Sequence, residues 1–83
     1  MSKFILVTGA GTGIGRSIAE TLSNQGYALI ICGRNLNRLE ETKTNLKNPS
    51  NHSTHSCDIR KAGDVQSILK KHNVKSLYGL VAN

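Results

Sequence analysis

The stretch Lys3–Arg16 reads K-F-I-L-V-T-G-A-G-T-G-I-G-R, and the fold is decided there. Phe4, Ile5, Leu6 and Val7 form an unbroken apolar run of branched and aromatic residues, which predicts a strand buried on both faces. The run meets glycines at positions 9, 11, 13 and 15. Beyond them Ile14, Ile18 and Leu22 recur at i, i+4 and i+8 with Ala19 beside them, predicting a helix whose apolar stripe lies back along the strand. The unit is strand, glycine turn, helix.

A chain that turns this sharply from strand to helix needs backbone with positive φ, and a phosphate can come close only where no Cβ stands in its way. The first turn of the helix adds unpaired N–H groups and the positive end of the helix dipole, so the turn is suited to a pyrophosphate. The dinucleotide pattern G-x-G-x-x-G fails, because its third glycine falls on Ile14 or Arg16. The nucleoside-triphosphate pattern G-x-x-x-x-G-K-[ST] finds Gly15 and Ser17 in place, but Ala10 replaces its first glycine and Arg16 its lysine.

Thr8, Gly9, Gly13 and Gly15 do fit T-G-x-x-x-G-x-G, which resembles the cofactor loop of the short-chain dehydrogenase/reductase family. The resemblance implies a nicotinamide dinucleotide lying across this turn, in contact with Gly9, Thr12, Gly13, Ile14 and Gly15.

Following the first helix, Gly26 introduces a second apolar run, Tyr27–Cys32, which predicts a parallel neighbour reached by a right-handed crossover. At its end, roughly 20 residues past the loop, an NAD-binding unit carries an acidic residue for the ribose hydroxyls. Here the chain reads Gly33-Arg34-Asn35, with no carboxylate until Glu40. A guanidinium grips phosphate with two hydrogen bonds, so Arg34, with Asn35 beside it, predicts NADP(H) in preference to NAD(H). Arg38, one turn on, reads as a solvated helix residue. Asn35 is also a good N-cap for a helix to about Lys47, with Leu36, Leu39 and Leu46 inward and Asn48-Pro49 as its stop.

Residues 49–56 read as a polar loop, and a short third strand is expected to end in Cys57-Asp58-Ile59. The resemblance implies that Asp58 holds the adenine amino group and that the Ile59 backbone amide reaches the ring. A helix from about Ala62 to His72 follows, with Val65, Ile68, Leu69 and His72 on one face. Ser76–Asn83 reads as a fourth strand whose end resembles the family's Asn-Asn-Ala-Gly stretch, with Asn83 at the second Asn; this adds Asn83 to the cofactor contacts.

The resulting fold class is α/β, a Rossmann-type doubly wound parallel sheet in partial form, β-α-β-α-β-α-β with strand order 3-2-1-4. Residues 1–83 are expected to be the N-terminal part of a dinucleotide-binding domain, ending at strand 4 and leaving that apolar edge open; a truncated product or a fragment of a longer enzyme is expected, a homo-oligomer is expected, and the isolated chain is expected to self-associate or to be only marginally folded. The family's chemistry needs a Tyr-x-x-x-Lys pair and an orienting Ser. Tyr27 is followed four residues later by Ile31 and Tyr78 by Ala82, so no catalytic residue is assigned.

Composition narrows the partners. The net charge of +6 comes from bases scattered along the chain without a dense run, and the aromatics are only Phe4, Tyr27 and Tyr78, so nucleic acid is not the expected partner. His52, His55 and Cys57 lack the paired Cys or carboxylate cluster of a metal site, and none is expected. Two cysteines, each in a predicted strand, suit a reducing compartment. The apolar run after Lys3 is too short for a signal peptide or a membrane span, so a cytoplasmic protein without a membrane partner is expected. The function implied is NADP-binding by the N-terminal part of a short-chain oxidoreductase that moves hydride between NADP(H) and a small carbonyl or alcohol; the alternative is a stand-alone, non-catalytic nucleotide-binding or regulatory module.

Overall fold

Side chains alternate across a strand, so two consecutive apolar residues can both be buried only if both sheet faces are covered. That is the condition of β1 (Phe4–Thr8) and β2 (Ala28–Gly33). Ile5, Val7, Leu29 and Ile31 enter one core with Ala19, Leu39 and Leu46, while Leu6, Ile30 and Cys32 enter a second core with Ile68. The first core lies under α1 (Gly13–Asn24) and α2 (Leu36–Thr44), the second under α3 (Ala62–Lys71). The structure is a computed structural model that describes residues 4–11, 13–58, 60–72 and 79–81.

The sheet is parallel and runs β3-β2-β1-β4, with β3 at Ser53–Ser56 and β4 at Gly79–Val81. Phe4 stands opposite Ala28 and Thr8 opposite Cys32; on the other edge Ile5 faces Gly79 and Val7 faces Val81. Among the described residues no helix is long and apolar enough to cross a membrane.

Several expected details differ. In α1 the buried residues are Gly15, Ala19 and Ser23, while Ile14 is 71% exposed and Ile18 and Leu22 are only half-buried. The small residues let the helix lie close to the sheet, which turns the inward stripe one position along from the larger side chains. Leu36 is exposed on the first turn of α2, and the helix ends at Thr44 rather than near Lys47. Leu46 still reaches the core because the chain tightens beyond the helix, with Asn45 N–H donating to the Thr42 carbonyl and Leu46 N–H to that of Lys43. Asn35 is the N-cap: its side chain accepts from Arg38 N–H at 3.2 Å.

The third strand is the polar Ser53–Ser56, inside the segment expected to be loop, and it stops before Cys57. An edge strand needs main-chain partners more than apolar side chains, and β2 supplies them from Ile30↔Ser53 to Gly33↔Ser56, with Cys57 N–H donating to the Gly33 carbonyl at 2.9 Å. Thr54 donates to Glu40, tying this strand to α2. His55 meets His72 at the end of α3, Nε2 to Nε2 at 2.7 Å, and burial with the neighbouring His72 and Lys71 holds the His55 pKa below its ordinary value. Of the expected fourth strand, only Gly79–Val81 falls within the described residues.

His52, weighed in the sequence as a metal ligand, is instead a buried bracket. Its Nδ1 accepts from Leu29 N–H at 3.0 Å and its Nε2 donates to the Lys47 carbonyl at 2.7 Å. Replacing it with leucine orphans a buried N–H, so His52→Leu is expected to cost about 1–3 kcal/mol of stability. Urea unfolding of the two proteins measures this, and a difference below a few tenths of a kcal/mol would remove His52 from the fold's support.

Candidate functional site

The first strand ends at the glycine turn, and the turn's backbone is what only glycine adopts readily: φ is 64° at Gly9 and 58° at Gly13. A Cβ built at Gly11 would stand 3.2 Å from the Arg38 Cβ, so the turn and α2 approach each other closely. Three further ties hold it. Ala10 N–H donates to the Cys32 carbonyl at 3.3 Å. The buried Thr42 hydroxyl donates to the Ala10 carbonyl at 2.9 Å. Arg16, on the first turn of α1, donates from Nε to Thr42 Oγ1 at 2.8 Å and from Nη2 to the Gly11 carbonyl at 2.7 Å, and reaches the Arg38 carbonyl and Glu41. The residue in the place of a triphosphate site's lysine thus points back into the turn and braces it.

Two hollows open above the carboxyl ends of the strands, where open α/β sheets carry their ligands. One, of about 260 Å³, is lined by Thr8, Gly9, Cys32, Gly33, Arg34, Cys57, Asp58 and Arg60. The other, of about 320 Å³, is lined by Gly9, Gly11, Gly33, Arg34, Asn35, Arg38 and Leu39. Gly9, Gly33 and Arg34 belong to both, so Arg34 stands on the ridge between them. No acidic residue occupies the first turn of α1, which leaves the positive end of its dipole unopposed there.

The charges divide unequally. Asp58 is taken by Arg60: Oδ1 accepts from Arg60 N and Nε, both at 3.0 Å, and Oδ2 accepts from Nη2 at 2.9 Å. These hydrogen bonds hold the Asp58 pKa well below the usual carboxylate range, at about 2, with the more distant Arg34 adding to the effect. Asp64, in the first turn of α3, accepts from the Asp58 backbone N–H at 3.3 Å and fixes the loop. The Arg34 guanidinium forms no ion pair among the described residues. At Gly33, where an acidic side chain would begin, a Cβ would meet Leu39 Cδ2 at 3.3 Å.

Of the sequence-predicted residues, Gly9, Arg34, Asn35 and Asp58 line the two hollows. Gly13, Ile14 and Gly15 form the first turn of α1, with the exposed Ile14 side chain at its open end. Thr12, Ile59 and Asn83 lie outside the described residues. Sequence reasoning does not reach Arg60, Cys32 or Cys57 as lining residues, and it leaves Arg38 to solvent. Arg60 is signalled only by its place two residues after Asp58; the others depend on how α2 and β3 pack against the turn.

Residues 3–83 match the family model described as short chain dehydrogenase. The chain is 38% identical over 71 residues to the 3-oxoacyl-[acyl-carrier-protein] reductase of Mus musculus, spanning 86% of this chain and 29% of that protein. To sulfoacetaldehyde reductase 2 of Chromohalobacter salexigens it is 36% identical over 69 residues, spanning 83% of this chain and 27% of the relative. Among solved structures, a short chain dehydrogenase from Bacillus anthracis superposes with a TM-score of 0.88 at 26% identity, covering 98% of this chain and 34% of its own. The F189W actinorhodin polyketide ketoreductase, solved with NADPH, gives 0.84 at 28% identity, covering 99% and 33%. The chain therefore spans about a third or less of these proteins' lengths.

Because the Arg60 side chain is the largest cause of the lowered Asp58 pKa, Arg60→Ala is expected to raise it part of the way from about 2 toward the ordinary 3.8, the residue-60 backbone N–H and Arg34 still holding it down. A depressed folded-state pKa adds stability above pH 3.8 that is lost as pH falls toward 2, so the wild-type chain should lose this contribution in that window and the variant should have less of it to lose. Carboxyl-carbon NMR titration of both proteins reads the two midpoints directly; equal midpoints would show that the pair does not persist in solution.

Proposed function

We propose that this chain, which belongs to the short-chain dehydrogenase family, supplies the NADP(H)-binding part of an oxidoreductase that moves hydride between the cofactor and a small carbonyl or alcohol substrate. The observation that carries the cofactor choice is Arg34: a guanidinium on the ridge between two hollows, without an ion-pair partner among the described residues, beside a Gly33 that presents no carboxylate. A 2′-phosphate finds at Arg34 a planar donor and at Gly33 no carboxylate to repel it, whereas free ribose hydroxyls find at Gly33 no acceptor of the kind an acidic residue provides. Arg38 lines the same hollow as Arg34 and is assigned as a second cation for the phosphate.

The remaining roles are assigned from the resemblance, and position supports those of the described residues. Gly9, Gly13, Ile14 and Gly15 present the turn and the α1 amino terminus to the pyrophosphate, and Thr12 is assigned beside them on the resemblance. Asn35 lines the hollow where the ribose phosphate would sit while its side chain caps α2. Asp58 accepts the adenine amino group: Oδ2 receives one hydrogen bond from Arg60 and keeps lone-pair capacity for another. Ile59, through its backbone amide to the adenine ring, and Asn83 are assigned as cofactor contacts on the resemblance alone. The nicotinamide group supplies the hydride chemistry when bound; the residues of this chain hold and orient it.

The sequence of 83 residues contains no Tyr-x-x-x-Lys, so these residues by themselves are assigned binding without turnover. That same fact is what favours the second reading, a nucleotide-binding module without catalysis, and steady-state assay of the purified chain with NADPH and a carbonyl panel addresses both.

The deciding experiment is titration of NADP(H) and NAD(H) by calorimetry at one fixed salt concentration. Arg34→Ala is expected to weaken NADP(H) about ten- to a hundred-fold and to leave NAD(H) almost unchanged. Arg16→Met, which removes the brace under the turn, is expected to weaken both cofactors to a similar degree. If Arg34→Ala weakens both equally, the NADP assignment is withdrawn.

A further inference from the structure

The two cysteines meet in the floor of the first hollow. Cys32 ends the apolar run of β2 and is 1% exposed; Cys57 stands just past β3 and is half-buried. The register sets Cys32 opposite His55, and Cys57, two residues on, returns to the same face of the sheet, so both side chains join Leu6, Ile30 and Ile68 in the core under α3. Both cysteines belong to one core cluster, and both line the hollow. The assigned nucleotide roles use neither of them.

We infer that Cys32 and Cys57 form a two-sulfur site for thiophilic ligands of the trivalent arsenical class, and that a ligand bridging them shuts the nucleotide out of the same hollow. The exclusion rests on the nucleotide reading of that hollow; the two-sulfur site does not. Among the described residues no group of three or more His, Cys, Asp or Glu side chains is placed to hold a metal ion, so a cation that needs four ligands is poorly served. Two sulfurs on an apolar floor suit a soft centre that takes two. Burial and the adjacent Cys57 push the Cys32 pKa up to about 12, so Cys32 keeps its proton at neutral pH and its alkylation is slow. An arsenical does not meet that obstacle in the same way. In the reaction of phenylarsine oxide with two thiols, two As–S bonds form, the As–O bond breaks, and the oxygen leaves as water with both thiol protons; arsenic stays trivalent and nothing is oxidised.

The test treats the reduced, folded chain with one equivalent of phenylarsine oxide and follows intact mass. The expected product gains one phenylarsenic group and loses two hydrogens, survives excess glutathione, and is released by 2,3-dimercaptopropanol. Cys32→Ala and Cys57→Ser, each checked for fold by circular dichroism, should each give only an adduct that glutathione strips. With NADP(H) at ten times its Kd, adduct formation should slow about ten-fold, by mass action. An adduct that resists glutathione in either single variant, or one that glutathione removes from the unaltered chain, overturns the two-sulfur site. An unchanged rate under bound nucleotide overturns the exclusion alone. Should calorimetry find no nucleotide binding, the nucleotide reading fails and the mass result still decides the two-sulfur site.

Discussion

The structure depends on the reversal between β1 and α1. Between Thr8 and Gly13 the backbone turns from strand to helix by way of positive φ at Gly9 and Gly13, which side-chain-bearing residues reach only at a cost. The reversal lays α1 over the sheet on its small-residue face and leaves its amino terminus above the carboxyl end of β1. It also sets Arg16 where it can reach across to Thr42, so the turn, α1 and α2 are locked by one set of hydrogen bonds.

Those bonds divide the arginines of the site by task. Arg16 is consumed in the scaffold, with acceptors from the turn, from α2 and from Glu41 around it. Arg60 is consumed by Asp58. Arg34 alone stands on the shared rim of both hollows, and Arg38 stands on one. A scattered positive charge in the sequence thus becomes, in the fold, two braced cations and two that face open space. The difference is one of partners and not of residue type.

A similar separation holds for the polar residues at the sheet edge. Ser53–Ser56 carry no strand pattern, yet they pair with β2 because the main chain of its last four residues offers unfilled donors and acceptors. His52 and His55 then take structural partners: one brackets the Leu29 N–H, the other meets His72 on α3. Cys57, carried just beyond this pairing, arrives in the same core cluster and the same hollow as Cys32.

What the sequence determined by itself is what is local or periodic. Continuous apolar runs required both sheet faces to be covered, the glycine spacing required a sharp turn before a helix, and Asn35 marked a helix start; the α/β parallel architecture and Gly9, Arg34 and Asn35 as neighbours of one site follow from these, while Asp58 is reached only through the resemblance to the family. Only the tertiary structure decided which face of α1 is inward, because Gly15, Ala19 and Ser23 win over Ile14 through close approach to the sheet rather than through apolarity. It alone also placed β3 on polar residues, gave Arg16 to the scaffold and Arg60 to Asp58, and brought Cys32 to Cys57. Each of these is a contact between residues far apart in the chain, or a main-chain bond indifferent to side-chain type, and neither leaves a periodic mark in the sequence.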